Sequence, residues 1–167
     1  EEIKKILPDI EGLFSSSQNR PKITYFDNVE GILSIYTDMI TNQKTYEMLA
    51  FSTAGELIDF TPEKFFANFV KTKEKLGITT RGIVPDTEKD RKFNEIVFKN
   101  VDRKFWPEIR YISKEKFPSS SEITVYGTNK VSIINFAKNK LAGIIIEDQS
   151  IHDMLKTVFE LSWKSTN

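Results

Sequence analysis

Apolar residues along the chain follow two periods, and the switches between them predict its elements. In KITYF (22–26), TYEMLAFST (45–53), ITTRGIVP (78–85), EIRYIS (108–113) and LAGIIIED (141–148) they alternate or cluster over short stretches, as strands do. FPSSSEITVYGTNKVSIINF adds a hairpin, in which an alternating strand meets a Gly-Thr-Asn-Lys turn and returns. Between the strands the spacing lengthens to three and four. Ile32, Leu33, Ile35, Tyr36, Met39 and Ile40 share a helical face behind Asn28, a capping residue. Phe65, Phe66, Phe69, Val70 and Leu76 line a second helix that starts at Thr61-Pro62 and stops at Gly77. Asp86 is placed to cap a third, holding Phe93, Ile96 and Val97. A last helix carries Ile151, Leu155, Val158, Phe159 and Leu161. Strands alternating with helices, then consecutive strands, then a helix predict an α/β fold. Its mixed β-sheet is sandwiched by helices, with the early strands parallel and the late hairpin antiparallel.

The first segment, EEIKKILPDIEGLF, has a narrower stripe. Ile3, Ile6, Ile10 and Leu13 recur close to the two-per-heptad spacing of a helix that pairs with another helix. Pro8 should kink or split it, and SSSQNRP reads as a linker. Residues 1–16 are therefore expected to be the end of a connector and dimerisation helix, and residues 17–167 one domain of a homodimer.

Composition narrows the function. Twenty-four basic and 24 acidic residues cancel, whereas a free-standing nucleic-acid binder carries a basic excess. The chain has no cysteine and one histidine, so thiolate chemistry and His-rich metal clusters are excluded. No apolar run reaches the ~20 residues of a membrane helix. Without a signal peptide the expected location is cytoplasmic. Gly31, Gly55, Gly82, Gly127 and Gly143 stand alone, so no glycine-rich phosphate loop exists. Neither cofactor nor metal is expected.

Charged side chains in KTKEKLG (71–77), DTEKDRK (86–92) and KNVDRK (99–104) alternate in sign and read as solvated helix faces. His152 reads as a partly exposed surface residue, since no nucleophile or orienting partner accompanies it. Ligands of open α/β sheets bind beyond the carboxyl ends of parallel strands. Ser52 and Thr53 follow one such strand and Pro85, Asp86 and Thr87 another; Asp86 and Thr87 also suit helix capping. Glu122 and Thr124 share one face of their strand, and Ile123 and Val125 the other. A helix-covered sheet would bury Glu122 and demand a partner, for which Arg81 is the best charged candidate. Ser52, Arg81, Glu122 and Thr124 together form the candidate ligand-binding set. There Glu122 can accept from a polyol or amine, and Arg81 can pair with an anion or with Glu122.

The order of segments also carries a resemblance. RPKITYFDNVEGILSIYTDMI, YEMLAFSTAGEL, a phenylalanine-rich helix, GITTRGIVPDT, FPSSSEITVYGTNKVSII and AGIIIEDQSIHDMLKTVFELSW together resemble TrmB-type transcriptional regulators. IVPDT, FPSSSEITVYG and FELSW are the most specific parts. The resemblance implies a phospholipase D-like α/β domain used for effector sensing and dimerisation. DNA would be bound only through an N-terminal winged helix-turn-helix, of which residues 1–16 resemble no more than the following helix. The sugar-binding extension of longer members has no counterpart after Trp163. The phospholipase D signature His-x-Lys-x(4)-Asp would fall near Ser121, Ile123 and Thr128, none of which can do its chemistry. The implied domain is non-catalytic. The alternatives are a ligand-free dimerisation module and a residual phosphodiesterase or nuclease.

Overall fold

The computed structural model describes residues 20–41, 44–117, 120–137 and 140–166. The expected connector helix, with Ile3, Ile6, Ile10 and Leu13, lies outside them. Seven strands form one sheet among the described residues, in the order β1-β7-β6-β5-β2-β3-β4. β1 (Lys22–Asp27) leads into α1 (Asn28–Ile40), and β2 (Glu47–Phe51) into a 3₁₀ turn (Ala54–Asp59) and α2 (Glu63–Leu76). β3 (Thr79–Pro85) is followed by α3 (Glu88–Val97) and β4 (Glu108–Ile112). β5 (Ser121–Tyr126), β6 (Lys130–Asn135) and β7 (Ala142–Glu147) form the late meander, and α4 (Gln149–Ser165) ends it.

β2, β3 and β4 are parallel, and β5, β6 and β7 run antiparallel from the other side of β2. The expected mixed sheet is thus observed, with its change of direction at the β5–β2 boundary. β1 lies at the far edge, antiparallel to β7, with three strands between it and β2.

Each face buries its own core. On one, Ile32, Ile35 and Met39 of α1 and Phe66, Phe69 and Val70 of α2 pack with Tyr126, Ile134 and Ile145. On the other, Phe159 and Trp163 of α4 lie on Leu49, Ile83, Val125 and Val131. Gly143 lets α1 approach the sheet, because a Cβ there would stand 2.5 Å from Ile35 Cδ1.

The helix ends show where local signals act. Asn28 begins α1 with φ 56°, in the left-handed region Asn tolerates, and its Oδ1 accepts from Gly31 N–H at 3.1 Å. Gly77 takes φ 68° after α2, as the predicted stop requires. The third helix is capped by Thr87, whose hydroxyl accepts from Asp90 N–H, while Asp86 instead pairs with Arg91 at 2.6 Å. Thr61 does not cap α2, which begins after Pro62. The inner stripe of α4 is also displaced from expectation. Val158 and Leu161 are exposed and Ile151 and Leu155 half-buried, whereas His152, Phe159 and Trp163 are buried. Ile96 of α3 is likewise exposed rather than inward.

Candidate functional site

Ser52 ends its strand run directly across from Glu122, one step beyond the Phe51–Ile123 pair of the β2–β5 ladder. That placement puts Ser52, Glu122 and Thr124 on the sheet face covered by α1 and α2. Glu122 is 4% exposed and collects three hydroxyl donors. Tyr36 donates to Oε1 at 2.9 Å, Thr124 to Oε1 at 3.0 Å and Ser52 to Oε2 at 2.5 Å. Ser52 is itself fixed by its backbone N–H, which donates to the Ile83 carbonyl. Burial raises the Glu122 carboxyl above the ordinary carboxylate range, and the Ser52, Tyr36 and Thr124 hydroxyls pull it back. The same burial, with the carboxylate beside it, pushes the Tyr36 hydroxyl well up.

Arg81 takes no part in this cluster. Its side chain lies on the opposite face, bidentate to Glu47 and to Glu160, over the Phe159 and Trp163 rings. The expectation of an Arg81–Glu122 pair therefore fails. β3 pairs in a register that sets Arg81 beside Leu49, so both face α4.

The cation on the Glu122 side is Lys73 of α2, taken from sequence as part of a solvated charge run but only 4% exposed. It occupies the inner stripe of its helix with Phe66, Phe69 and Val70. Its ammonium donates to the Thr80 hydroxyl and lies 5.7 Å from the Phe69 and 5.8 Å from the Phe98 ring centroid. Burial lowers its pKa to about 8, against a smaller upward pull from Glu122.

Glu122, Thr124, Ser52, Tyr36, Lys73 and Thr80 all line one cavity of ≈ 90 Å³, with Asp90, Asn94 and a majority of apolar side chains such as Val97 and Ile109. Gly82 in its floor keeps β3 close under Ile109, whose Cδ1 is 2.8 Å from where a Cβ would lie. Asp90, also lining it, has local partners: Oδ1 accepts from Gly55 N–H and Oδ2 from Thr87 Oγ1. Of the predicted set, Ser52, Glu122 and Thr124 come together, and Tyr36 and Lys73 replace Arg81. Thr53 lies beside the site, donating to the Ser121 carbonyl at 3.4 Å. His152 is buried rather than exposed, with Nδ1 3.0 Å from Asp153.

Neither a protein-family model nor a curated protein matches the sequence. Solved structures do share its shape. TrmBL2, an archaeal chromatin protein, superposes with a TM-score of 0.58 at 12% identity over 99% of this chain. NucT from Helicobacter pylori gives 0.60 at 14% identity, covering 88% of this chain and 98% of NucT. Polyphosphate kinase from Porphyromonas gingivalis gives 0.53 at 10%, over 86% of this chain and 26% of the kinase. The fold is phospholipase D-like. This chain spans 63% of the length of TrmBL2, and the likeness to all three is one of fold. Ile123 packs against the α4 core, on the sheet face opposite the Glu122 cavity. No helix among the described residues is long and apolar enough to cross a membrane.

Proposed function

We propose that this chain is a non-catalytic effector-sensing and dimerisation domain of a TrmB-like transcription regulator. DNA would be contacted by a winged helix outside the residues described, and the domain would work as a cytoplasmic homodimer. The observation that carries the reading is the buried cluster of Glu122, Ser52, Tyr36, Thr124 and Lys73 around a cavity of ≈ 90 Å³ that side chains do not close. A ligand-free dimerisation module has no use for space there and would close it with side chains. Buried polar groups that cost stability and line a cavity are instead what a small polar effector exploits. Fold similarity to TrmBL2 over 99% of the chain supports the family side of the reading. An effector bound between α2 and the sheet would act by favouring one arrangement of two subunits over another.

The test is a thermal-shift screen of this chain against sugars, sugar phosphates, nucleotides, amino acids, organic acids and simple anions. Sedimentation velocity is run alongside to follow subunit association. An effector at about 100 times its Kd stabilises by about 2.7 kcal/mol, an easily measured shift. A saturable stabiliser weakened by Glu122→Gln that also changes subunit association supports the reading. A panel without any stabiliser sinks it in favour of the ligand-free module.

A further inference from the structure

The polar groups of the cavity are unequally satisfied. Glu122 accepts three hydroxyl bonds of the roughly four a carboxylate can take. The Asp90 carboxylate accepts the Gly55 N–H and the Thr87 hydroxyl, and its backbone N–H donates back to Thr87 Oγ1. Lys73 has three donors and, among the described residues, one hydrogen-bond acceptor, the Thr80 hydroxyl. Among the described residues no carboxylate lies at ion-pair distance from it, and Glu122 acts on it only through a smaller electrostatic pull. Its two ring contacts are attractive but leave two N–H groups unspent. A buried ammonium so supplied retains most of its desolvation cost.

Position separates this cation from the carboxylates. Thr80 stands near the start of β3, four residues before Val84, a rise of about 13 Å along the strand. Ser52 and Glu122 lie towards the other end, and Asp90 follows β3 on α3. Phe69 and Phe98 flank the Lys73 ammonium, and Val97, Ile109 and one amide, Asn94, line the same cavity.

We propose that Lys73 and Thr80 form the head of a receptor for a small organic monocarboxylate, whose short apolar body lies against Phe69, Val97, Phe98 and Ile109. The proposal rests on reading this cavity as the effector site. Charge favours a monoanion, since one negative charge matches the ammonium, whereas a phosphate dianion would leave charge uncompensated near Glu122. Size sets the second limit. The cavity, ≈ 90 Å³, is smaller than the roughly 150 Å³ that accommodates benzene, so the body is a few carbons long. The walls set the third, because apolar side chains favour alkyl over polyol substituents.

The experiment titrates this chain with butyrate, and with acetate, butyramide, inorganic phosphate and chloride as comparisons. It reads the ε-methylene NMR signal of Lys73, assigned by its loss in Lys73→Met, and the melting temperature. Butyrate is expected to shift the signal saturably, to raise the Lys73 pKa from about 8 and to bind roughly ten-fold or more tightly than butyramide. Thr80→Val should weaken butyrate several-fold, and Lys73→Met should abolish its effect on melting. If Lys73→Met does not fold, the signal is assigned by selective labelling and the wild-type titration decides. Equal responses to butyrate, butyramide and phosphate, or a Lys73 signal that none of them moves, would overturn the proposal. An effector that stabilises Lys73→Met as it does the parent removes the carboxylate assignment and leaves the sensing role intact. Butyrate that engages Lys73 without altering subunit association does the reverse.

Discussion

Lys73 and Glu122 are buried on one side of the sheet, yet their circumstances differ, and pH separates them. The Lys73 amine has a pKa of about 8 when folded and 10.5 as its ordinary value. Between those values the unfolded chain holds the extra proton, so stability rises with pH across that window, by roughly 3 kcal/mol at most. The charged groups that line the same cavity are Glu122 on β5 and Asp90 on α3, with the Tyr36 hydroxyl of α1. The raised Glu122 carboxyl acts with opposite sign at lower pH. From about 4.5 up to its folded pKa the native state holds the extra proton, so stability falls as pH rises. Urea titrations from pH 5 to 10 should show stability rising above about pH 8, and Lys73→Met should lose that alkaline rise. A flat profile in the parent would mean that Lys73 is hydrated. Glu122→Gln keeps the shape, and the three hydroxyls can reorient to meet the amide, so a loss of about 1–2 kcal/mol is expected. Glu122→Ala strands the three hydroxyls and should cost more, about 3 kcal/mol. Equal losses in chemical denaturation would refute the network. Much of this site was readable in the sequence. Strand alternation put Glu122 and Thr124 on one face, but Lys73, on the helical stripe of Phe66, Phe69 and Val70, reads as solvated because the charges around it mask its spacing. Arg81 was not assignable, because a face depends on strand register, and one residue of slip exchanges the two faces.

At the scale of elements, α4 shows how side chains fix a helix on a sheet. Arg110 of β4 donates to the carbonyls of Trp163 and Thr166 and lies 4.3 Å from the Trp163 ring centroid. Arg81 of β3 pairs with Glu160 at 2.6 Å and with Glu47 at 2.8 Å. These contacts explain why helical spacing alone misplaced the inner face of α4. Two cationic strands select the aromatic and acidic side of the helix, Phe159, Glu160 and Trp163, and turn Val158 and Leu161 outward. Arg110→Ala is expected to destabilise by about 1–3 kcal/mol and to speed amide hydrogen exchange in the last turn of α4 before the sheet. Uniform acceleration across the molecule would show that Arg110 does not act locally. On the opposite face the constraint is space. Gly143→Ala places a methyl 2.5 Å from Ile35 Cδ1 and 3.2 Å from Ile32 Cδ1, so α1 or its side chains must move. A loss of about 1–3 kcal/mol in denaturant melts is expected; an unchanged midpoint would mean that this layer yields freely. The paired periods foretold both layers, whereas β1 at the distant edge rests on long-range pairing with β7 that no local pattern encodes.

The whole molecule joins a phospholipase D-like frame to a polar centre in a different place. By the sequence resemblance the signature would fall near Ser121, Ile123 and Thr128, whereas the buried Glu122 and Lys73 belong to the α1–α2 side. Because β5 alternates its side chains, Ile123 and Glu122 face opposite sides of the sheet, and neither Glu122 nor Lys73 can stand in for a residue at position 123. Ile123 is committed to the apolar core under α4. Phosphoryl transfer through a covalent intermediate needs a nucleophile with an oriented general acid, and the single histidine, His152, is buried beside Asp153. The expected outcome with bis(p-nitrophenyl) phosphate is therefore no release of nitrophenol above buffer, in the parent and in His152→Asn alike. Turnover by the parent that disappears in His152→Asn while the fold survives would place a reaction on α4 and remove the non-catalytic reading. Turnover lost in Glu122→Gln would instead assign the chemistry to the cavity. Absence of turnover in all three, with retained binding of a small effector, is the result that a sensing domain on this frame predicts.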